Sequence, residues 1–221
     1  MLSIIKIENE KYLKVKSMAV QIYTFKITYA DCDNKIWRIA AVSSNYTLAE
    51  LGYMVLASFD TMAYHLFEMK YKDTSFFISA ECFENLQYND NNDYDMLSSH
   101  KINSVNMNIG ETIEMIYDFG CEQIFNIELI EISDMPRGHG RAYPKILSGA
   151  GRGIVDNMPA SELLKAIKKI DKDGHSEIYY SSRGSSSIPE WDYRDYRIDL
   201  DNALLKGEIE MIRDGYEGYE Y

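Results

Sequence analysis

Short segments in which apolar and polar residues alternate recur along the chain, and they come in pairs joined by polar turns. Alternation with a period of two is typical of strands with one buried face, and a polar turn between two such segments is typical of a hairpin. The pattern therefore predicts a mostly antiparallel sheet built from hairpins. The three predicted pairs are 20–29 with 36–42, 64–71 with 76–80, and 112–119 with 124–132.

A helix is predicted directly after the first hairpin. Thr47 and Glu50 have the spacing of a capping box, in which each side chain hydrogen-bonds the other residue's backbone at the start of a helix. The apolar residues that follow recur at helical spacing and lie along one face of the predicted helix. They are Leu48, Leu51, Val55 and Phe59.

Two further helices are predicted near the end of the chain. Ser161 is placed to cap the first, which ends at Gly174, and the second covers about 201–213. Strands followed by helices in this order predict an α+β fold. The predicted buried residues are Leu163, Leu164, Ile167 and Ile170 in the first helix, and Leu204, Leu205, Ile209 and Ile212 in the second.

The chain is predicted to form a single domain over residues 1–213, with its core at about 20–205. Its 221 residues are enough for one domain with a substantial core. The stretch at about 85–110 is rich in Asn, Asp and Ser and lacks periodicity, which predicts an exposed loop insertion. Residues 214–221 are predicted to form an acidic, tyrosine-rich tail.

The net charge limits the partners that the chain can bind. Thirty-five acidic residues against 23 basic ones give a formal net charge of -12, so direct binding of nucleic acid is disfavoured. An acidic surface most often serves solubility. The alternative is that clustered carboxylates imitate a phosphate backbone and occupy a basic groove on another protein.

The cysteines and the apolar runs indicate a cytoplasmic protein. Cys32, Cys82 and Cys121 are odd in number and widely spaced, which predicts neither a disulfide framework nor a thiolate zinc site. No run approaches the roughly 18 apolar residues of a membrane span. We expect no membrane association, no metal and no cofactor.

Four stretches together resemble a known family. They are Tyr23 to Ile27 followed by Ile36, Trp37 and Arg38; Thr47 to Leu51 followed by His65, Leu66 and Phe67; Tyr117, Asp118, Phe119 and Gly120; and Ile198 to Leu205 with Asp199 and Asn202. Their order and spacing are similar to those of the plasmid pRiA4b ORF-3-like family, also described as the passenger protein of certain insertion elements. The similarity extends from about residue 20 to residue 205.

The resemblance implies an α-β roll, which is a curled sheet with a helix across it, and an origin on plasmids, phages or transposons. The family has no agreed activity. The chain departs from the family pattern after Gly120, where Cys121, Gln123 and Phe125 replace the usual Asp, Trp and His. The family's Pro-Glu-Asp and Gly-Gly segment is shortened to the neighbourhood of 155–157.

Tyrosine is unusually abundant, at 18 residues, and many tyrosines lie among charges in the final third of the chain. Exposed tyrosine provides a large contact area at low entropic cost, which suits protein recognition. An AT-rich genome would produce the same excess, and the sequence leaves both explanations open. The candidate binding residues are Asp192, Tyr193, Asp195, Tyr196, Glu217, Tyr219 and Glu220.

A second candidate site lies in the glycine-rich stretch 137–153. His139, Arg141 and Arg152 are candidate anion-binding residues there. Gly149, Gly151 and Gly153 lack the strand, the Gly-Lys-Ser/Thr ending and the helix of a phosphate-binding loop, so a flexible turn is the default interpretation. No histidine, cysteine or serine has the local spacing of a catalytic or metal site.

The leading hypothesis is a non-enzymatic binding protein of a mobile genetic element. Its proposed partner is a host protein with a basic surface, such as a nucleic-acid-binding defence nuclease, which it inhibits by occupying the groove. The alternative is an enzyme with an anion or nucleotide site under the 137–153 loop. A third possibility is a structural or regulatory domain that dimerises through its sheet edge, and the sequence leaves the oligomeric state open.

Overall fold

The computed structural model describes residues 20–30, 32, 35–79, 95–180 and 187–218. Within these residues, eight strands form one curled sheet, and every neighbouring pair is antiparallel except the last two strands at one edge. The strands are β1 (Gln21–Tyr29), β2 (Trp37–Ser43), β3 (Phe67–Tyr71), β4 (Thr74–Phe77), β5 (Asp95–Met96), β6 (Thr112–Tyr117), β7 (Gln123–Asp134) and β8 (Lys145–Ala150).

Across the sheet the strand order is β5-β4-β3-β6-β7-β1-β2-β8. The three predicted hairpins are present as β1 with β2, β3 with β4, and β6 with β7. Together with the helices described below, this confirms the predicted α+β class and the mostly antiparallel sheet.

Two strands differ from the prediction for a backbone reason. β3 begins at Phe67 rather than at residue 64, because Asp60 and Ala63 adopt positive φ angles of 55° and 54° and hold the chain before it in a loop. β8 lies in a glycine-rich stretch that has no strand pattern. It forms because its backbone continues the sheet beside β2.

Helix α1 (Leu48–Ser58) is buried on all sides. One side packs on the sheet, where the ring of Tyr53 meets that of Phe67 edge-on at 6.1 Å between centroids. The other side is covered by the last helix, where Tyr53 stacks on Tyr216 at 5.5 Å. A helix with apolar residues all round is expected at such a central position. The predicted capping box is present: Thr47 Oγ1 accepts from the Glu50 N–H at 3.1 Å, and Glu50 accepts from the Thr47 N–H at 2.8 Å.

Helix α2 (Ala160–Asp173) ends at Gly174, which has a φ of 90° as expected for a left-handed helix end. Its N-cap is Pro159, so Ser161 does not cap the helix, contrary to the prediction. The helix begins one residue before Ser161. The Ser161 side chain is therefore inside the first turn, where it is exposed.

Helix α3 (Ile198–Glu217) is longer than the sequence pattern indicates. It continues past Arg213 because Tyr216 packs against Tyr53 and Phe67 and donates a hydrogen bond to the carbonyl of His65. Leu204, predicted to be buried, is 48% exposed. The buried face of the helix is formed by Leu205, Ile209 and Ile212. Because successive residues of a helix are about 100° apart around its axis, Leu204 points away from the buried Leu205.

Candidate functional site

A buried arginine in β2 organises the region where α1, β8 and α3 meet. Arg38 is only 1% exposed, and its guanidinium is held by carbonyl groups. Nε donates to the Ser58 carbonyl at 3.0 Å, and Nη1 donates to those of Trp37, Ala150 and Gly151 at 2.8–2.9 Å. Hydrogen bonds from a charged donor are stronger than neutral ones, so Arg38 fastens the end of α1 to the end of β8.

Aromatic and acidic side chains enclose the same guanidinium. Its carbon lies 3.9 Å from the ring centroid of Tyr196 and 4.9 Å from that of Phe59. Asp201 Oδ2, from the first turn of α3, lies 3.6 Å from Arg38 Nε. Burial raises the pKa of Asp201, with the positive charge of Arg38 acting in the opposite direction. Burial lowers the pKa of Arg38, although a guanidinium remains charged at physiological pH.

A cleft of about 190 Å³ opens beside this cluster. Its walls come from the end of α1, the chain at 152–153, the segment 195–197 and the first half of α3. Most of the lining side chains are polar or charged. They are Arg38, Ser58, Asp60, Arg152, Asp195, Tyr196, Arg197, Asp201 and Glu208, with Ala57, Gly153, Leu200 and Leu204.

Arg152 is neutralised by two carboxylates at the rim of the cleft. Its Nε lies 3.5 Å from Asp60 Oδ2, and its Nη1 donates to Asp195 Oδ2 at 2.9 Å. The guanidinium also lies 5.1 Å from the ring centroid of Tyr180. An anion would have to displace one of these carboxylates, so the geometry does not favour Arg152 as an anion-binding group.

The glycines at 149–153 allow close packing and do not form a flexible turn. Gly149 belongs to β8 and pairs with Arg38, and a Cβ atom there would lie 2.9 Å from both Arg38 Cδ and the Tyr196 hydroxyl. A Cβ atom on Gly153 would lie 1.8 Å from the carbonyl oxygen of Phe59. Only glycine permits these approaches.

Two of the predicted binding acids are compensated within the chain. Asp192 accepts two hydrogen bonds from the guanidinium of Arg194, at 2.9 and 2.6 Å, which lower the pKa of its carboxyl group. Asp195 is paired with Arg152. The segment 192–196 therefore folds over the cleft with its charge largely neutralised.

The other predicted binding residues have separate positions. Tyr193 donates to Asp171 Oδ1 at 2.5 Å and accepts from Lys35 at 3.1 Å. Glu217 accepts a hydrogen bond from the Tyr53 hydroxyl at 3.2 Å. Tyr219 and Glu220 lie outside the described residues.

The structure brings only one residue of the alternative anion site to the cleft. Arg152 lies there with Asp195 and Tyr196. His139 and Arg141 lie instead on an exposed turn, where His139 Nδ1 is 3.0 Å from the carbonyl oxygen of Arg137. Lys206 on α3 donates to the carbonyl oxygen of Arg141, which ties this turn to the helix.

Sequence reasoning missed three of the residues that build the cleft: Arg38, Asp60 and Asp201. A signal existed for Arg38, because the alternation of β2 places it on the same face as the buried Ala40 and Val42. A lone arginine on the buried face of a strand is unusual enough to predict a buried polar site. Asp60 and Asp201 had no comparable local signal.

A second polar cluster lies on the loop before β3. His65 Nε2 is 3.1 Å from Asn157 Oδ1 and 3.5 Å from Asp118 Oδ2, and Tyr117 donates to Asp156 at 2.6 Å. These contacts join residues from several of the stretches that carry the family resemblance. They tie together the loop before β3, the turn after β6 and the segment at 156–157.

Cys121, adjacent to this cluster, lacks the environment of a catalytic nucleophile. Burial, followed by the nearby carboxylate of Asp118, raises the pKa of its thiol. Among the residues that the structure describes, no group of three or more His, Cys, Asp or Glu side chains could hold a metal ion. Nor does the described part of the chain contain a helix long and apolar enough to cross a membrane.

Comparison with known proteins shows the relationship of the chain. The family model described as plasmid pRiA4b ORF-3-like protein matches residues 21–199. No curated protein matches the sequence. A solved structure of a protein of unknown function from Methanosarcina mazei Go1 has a TM-score of 0.59 and 18% identity, over 70% of this chain and 83% of that chain. This likeness shows a shared fold alone. Because the family model covers most of the chain, the protein belongs to the plasmid pRiA4b ORF-3-like family.

Proposed function

We propose that this protein acts by binding another protein through the outward side of α3. The observation that carries the proposal is a line of exposed apolar side chains: Leu200, Leu204 and Met211 are 49%, 48% and 54% exposed. At about 100° per residue they lie within roughly 40° of one another around the helix axis. This side is opposite the buried Leu205, Ile209 and Ile212. Aligned exposed apolar residues commonly mark interaction surfaces.

Acidic residues flank this line. α3 carries six acids, Asp199, Asp201, Glu208, Glu210, Asp214 and Glu217, against the two bases Lys206 and Arg213. Glu210 and Asp214 form no ion pair with any described residue. Their charge is therefore available to a partner. We call the surface formed by Leu200, Leu204, Met211, Glu210 and Asp214 the α3 face.

The partner that fits the α3 face presents apolar side chains next to lysine or arginine. The net charge of -12 favours approach to a basic protein and disfavours approach to nucleic acid. A host protein that binds nucleic acid, such as a defence nuclease, has a basic groove of this kind. The plasmid origin in the family's name supports an encounter between the product of a mobile element and a host protein.

The enzymatic alternative has less support. Its proposed anion-binding residues His139 and Arg141 lie away from the cleft, and Arg152 is paired with Asp60 and Asp195.

The test is capture of host proteins by the wild type and by two triple variants. Leu200→Ser, Leu204→Ser and Met211→Ser together alter the α3 face. Ile109→Ser, Leu147→Ser and Ile188→Ser form the matched control, since these side chains are 62%, 48% and 63% exposed elsewhere. The proposal expects one host protein that the wild type and the control retain and the α3 variant loses.

The captured protein is then purified and its affinity measured. The proposal expects binding to weaken with salt, to weaken at least tenfold in a Glu210→Lys, Asp214→Lys variant, and to compete with double-stranded DNA or RNA for the partner. Capture that is equal for both triple variants, or no retained basic protein at low salt, contradicts the proposal.

A further inference from the structure

The exposed side of α3 has the residue spacing of a coiled-coil seam. Leu200, Leu204, Gly207 and Met211 follow one another at intervals of four, three and four residues, and all four are exposed. These are the intervals between the a and d positions of a heptad, which place core residues in one line along a helix. We call these four residues the α3 seam. Its spacing fits a second helix that packs alongside α3.

Gly207 interrupts the α3 seam with a position that has no side chain. A Cβ atom there would meet nothing within 4 Å, and its φ is not among the positive φ values that favour glycine. Glycine inside a helix is less stable than alanine, so no contact in the described part of the chain accounts for this residue. Between Leu204 and Met211 it leaves a hole. In a coiled coil, a large side chain of the facing helix fills such a hole.

Acidic residues lie on both flanks of the α3 seam. Glu208 and Glu210 occupy the e and g positions of the same heptad, about 80° to either side of Leu200 around the helix axis. Glu210 is exposed and Glu208 is partly exposed. A facing helix with lysine or arginine at its own e and g positions complements both flanks. A second copy of α3 would instead place glutamate against glutamate, which disfavours a dimer of this chain.

We propose that the partner of the α3 face contributes an amphipathic helix, which packs along the α3 seam as a short coiled coil. The partner helix carries apolar residues at its a and d positions, one bulky side chain opposite Gly207, and lysine or arginine on its flanks. From Leu200 to Met211 the seam is about 17 Å long at about 1.5 Å per residue, so roughly three turns of the partner helix cover it. This inference rests on the proposed docking through α3 and adds the kind of structure that docks there.

The experiment measures the affinity of the full chain for synthetic peptides and requires no host protein. The peptides have about 28 residues, which is long enough for an isolated helix. The reference peptide has leucine at every a and d position and lysine at every e and g position, so that it repels copies of itself. One matched peptide has glutamate in place of those lysines. The other keeps the composition and charge of the reference but moves the leucines off the heptad spacing.

The proposal expects the wild type to bind the reference peptide about tenfold or more tightly than either matched peptide. The acidic peptide lacks charge complementarity, and the shuffled peptide lacks a continuous apolar side. Isothermal titration calorimetry at low salt gives the three dissociation constants.

A second set of peptides locates the hole at Gly207. Each peptide has one tryptophan in place of a different core leucine. In the wild type, at least one of them binds about fivefold or more tightly than the reference, because its tryptophan fills the hole. Gly207→Leu fills the hole from within the chain, so the reference then binds more tightly than every tryptophan peptide. Gly215→Leu is the matched control and keeps the wild-type order, because Gly215 is another open glycine of α3 and lies outside the seam.

The proposal is overturned if the reference peptide binds no more tightly than the matched peptides, or if Gly207→Leu leaves the order of the tryptophan peptides unchanged. It is also overturned if sedimentation shows a dimer that the Leu200→Ser, Leu204→Ser, Met211→Ser variant loses, because the α3 seam would then bind a second copy of the chain.

These outcomes are separate from those of host-protein capture. If the α3 variant loses a host protein but the peptides fail, the docking proposal stands and its partner is not a helix of this kind. If capture is the same for both triple variants, the docking proposal itself fails, whatever the peptides do.

Discussion

The guanidinium carbon of Arg38 lies 3.9 Å from the centre of the Tyr196 ring, so a tyrosine 158 residues further along the chain covers a buried cation. A cation–π contact of this kind contributes about 2 kcal/mol when it is shielded from water. The sequence suggested that Tyr196 was available to a partner. Its ring instead covers the buried guanidinium of Arg38 within its own chain, and its hydroxyl lies beside Gly149.

Replacement of Arg38 by methionine is expected to destabilise the protein by about 3–5 kcal/mol. The change leaves Asp201 without its counter-charge, and it leaves four carbonyl groups without their donor. Urea unfolding measures the loss. Arg197→Met is the control, because the Arg197 side chain is exposed and pairs only at the surface, and it should change stability by less than about 0.5 kcal/mol. Equal effects of the two variants would contradict the role of Arg38.

Gly153→Ala is expected to lower stability by about 1–3 kcal/mol, because the new Cβ would lie 1.8 Å from the carbonyl oxygen of Phe59. Gly207→Ala is expected to raise it by about 0.5–1 kcal/mol, because Gly207 lies within α3 with nothing within 4 Å of the new Cβ. Thermal unfolding of both variants tests the pair. If Gly153→Ala left the stability unchanged, the backbone at Gly153 and the backbone at Phe59 would be shown to separate easily.

Thr47→Ala is expected to lower the free energy of unfolding by about 1 kcal/mol, because the Thr47 side chain accepts a hydrogen bond from the backbone N–H of Glu50 at the start of α1. Ser161→Ala is the matched control. Ser161 is exposed in the first turn of α2 and does not cap it, so we expect a change below about 0.5 kcal/mol. Chemical denaturation distinguishes the two, and a larger effect at Ser161 would be inconsistent with Pro159 as the N-cap.

Glu111 is expected to make stability depend on pH. The backbone N–H of Asn108 donates to it at 2.7 Å, Tyr71 donates to it, and Lys72 lies 3.0 Å away, which together lower its pKa from 4.5 to about 2. Because the folded pKa lies below the unfolded one, the contribution is present above about pH 4.5 and is lost as the pH falls towards 2.

The measurement is the urea midpoint of the wild type and of Glu111→Gln at pH 6 and at pH 3. The urea midpoint of the wild type should be higher than that of the variant at pH 6, and the difference between the two midpoints should be smaller at pH 3. A difference that is the same at both values would show that Glu111 does not titrate in this range.

Local pattern was sufficient for the hairpins, for α1 with its capping box, for the end of α2 at Gly174, and for the family resemblance. These features depend on side-chain periodicity and on hydrogen bonds between residues close in the chain, which the order of residues specifies directly. Only the tertiary structure decided that β8 joins the sheet, that α3 turns Leu204 outward, and that Arg38, Asp201 and Tyr196 meet at one cleft. Those outcomes depend on which surfaces pack together across more than a hundred residues, and on the need to provide a buried guanidinium with carbonyls and a carboxylate. No local segment of the sequence contains that information.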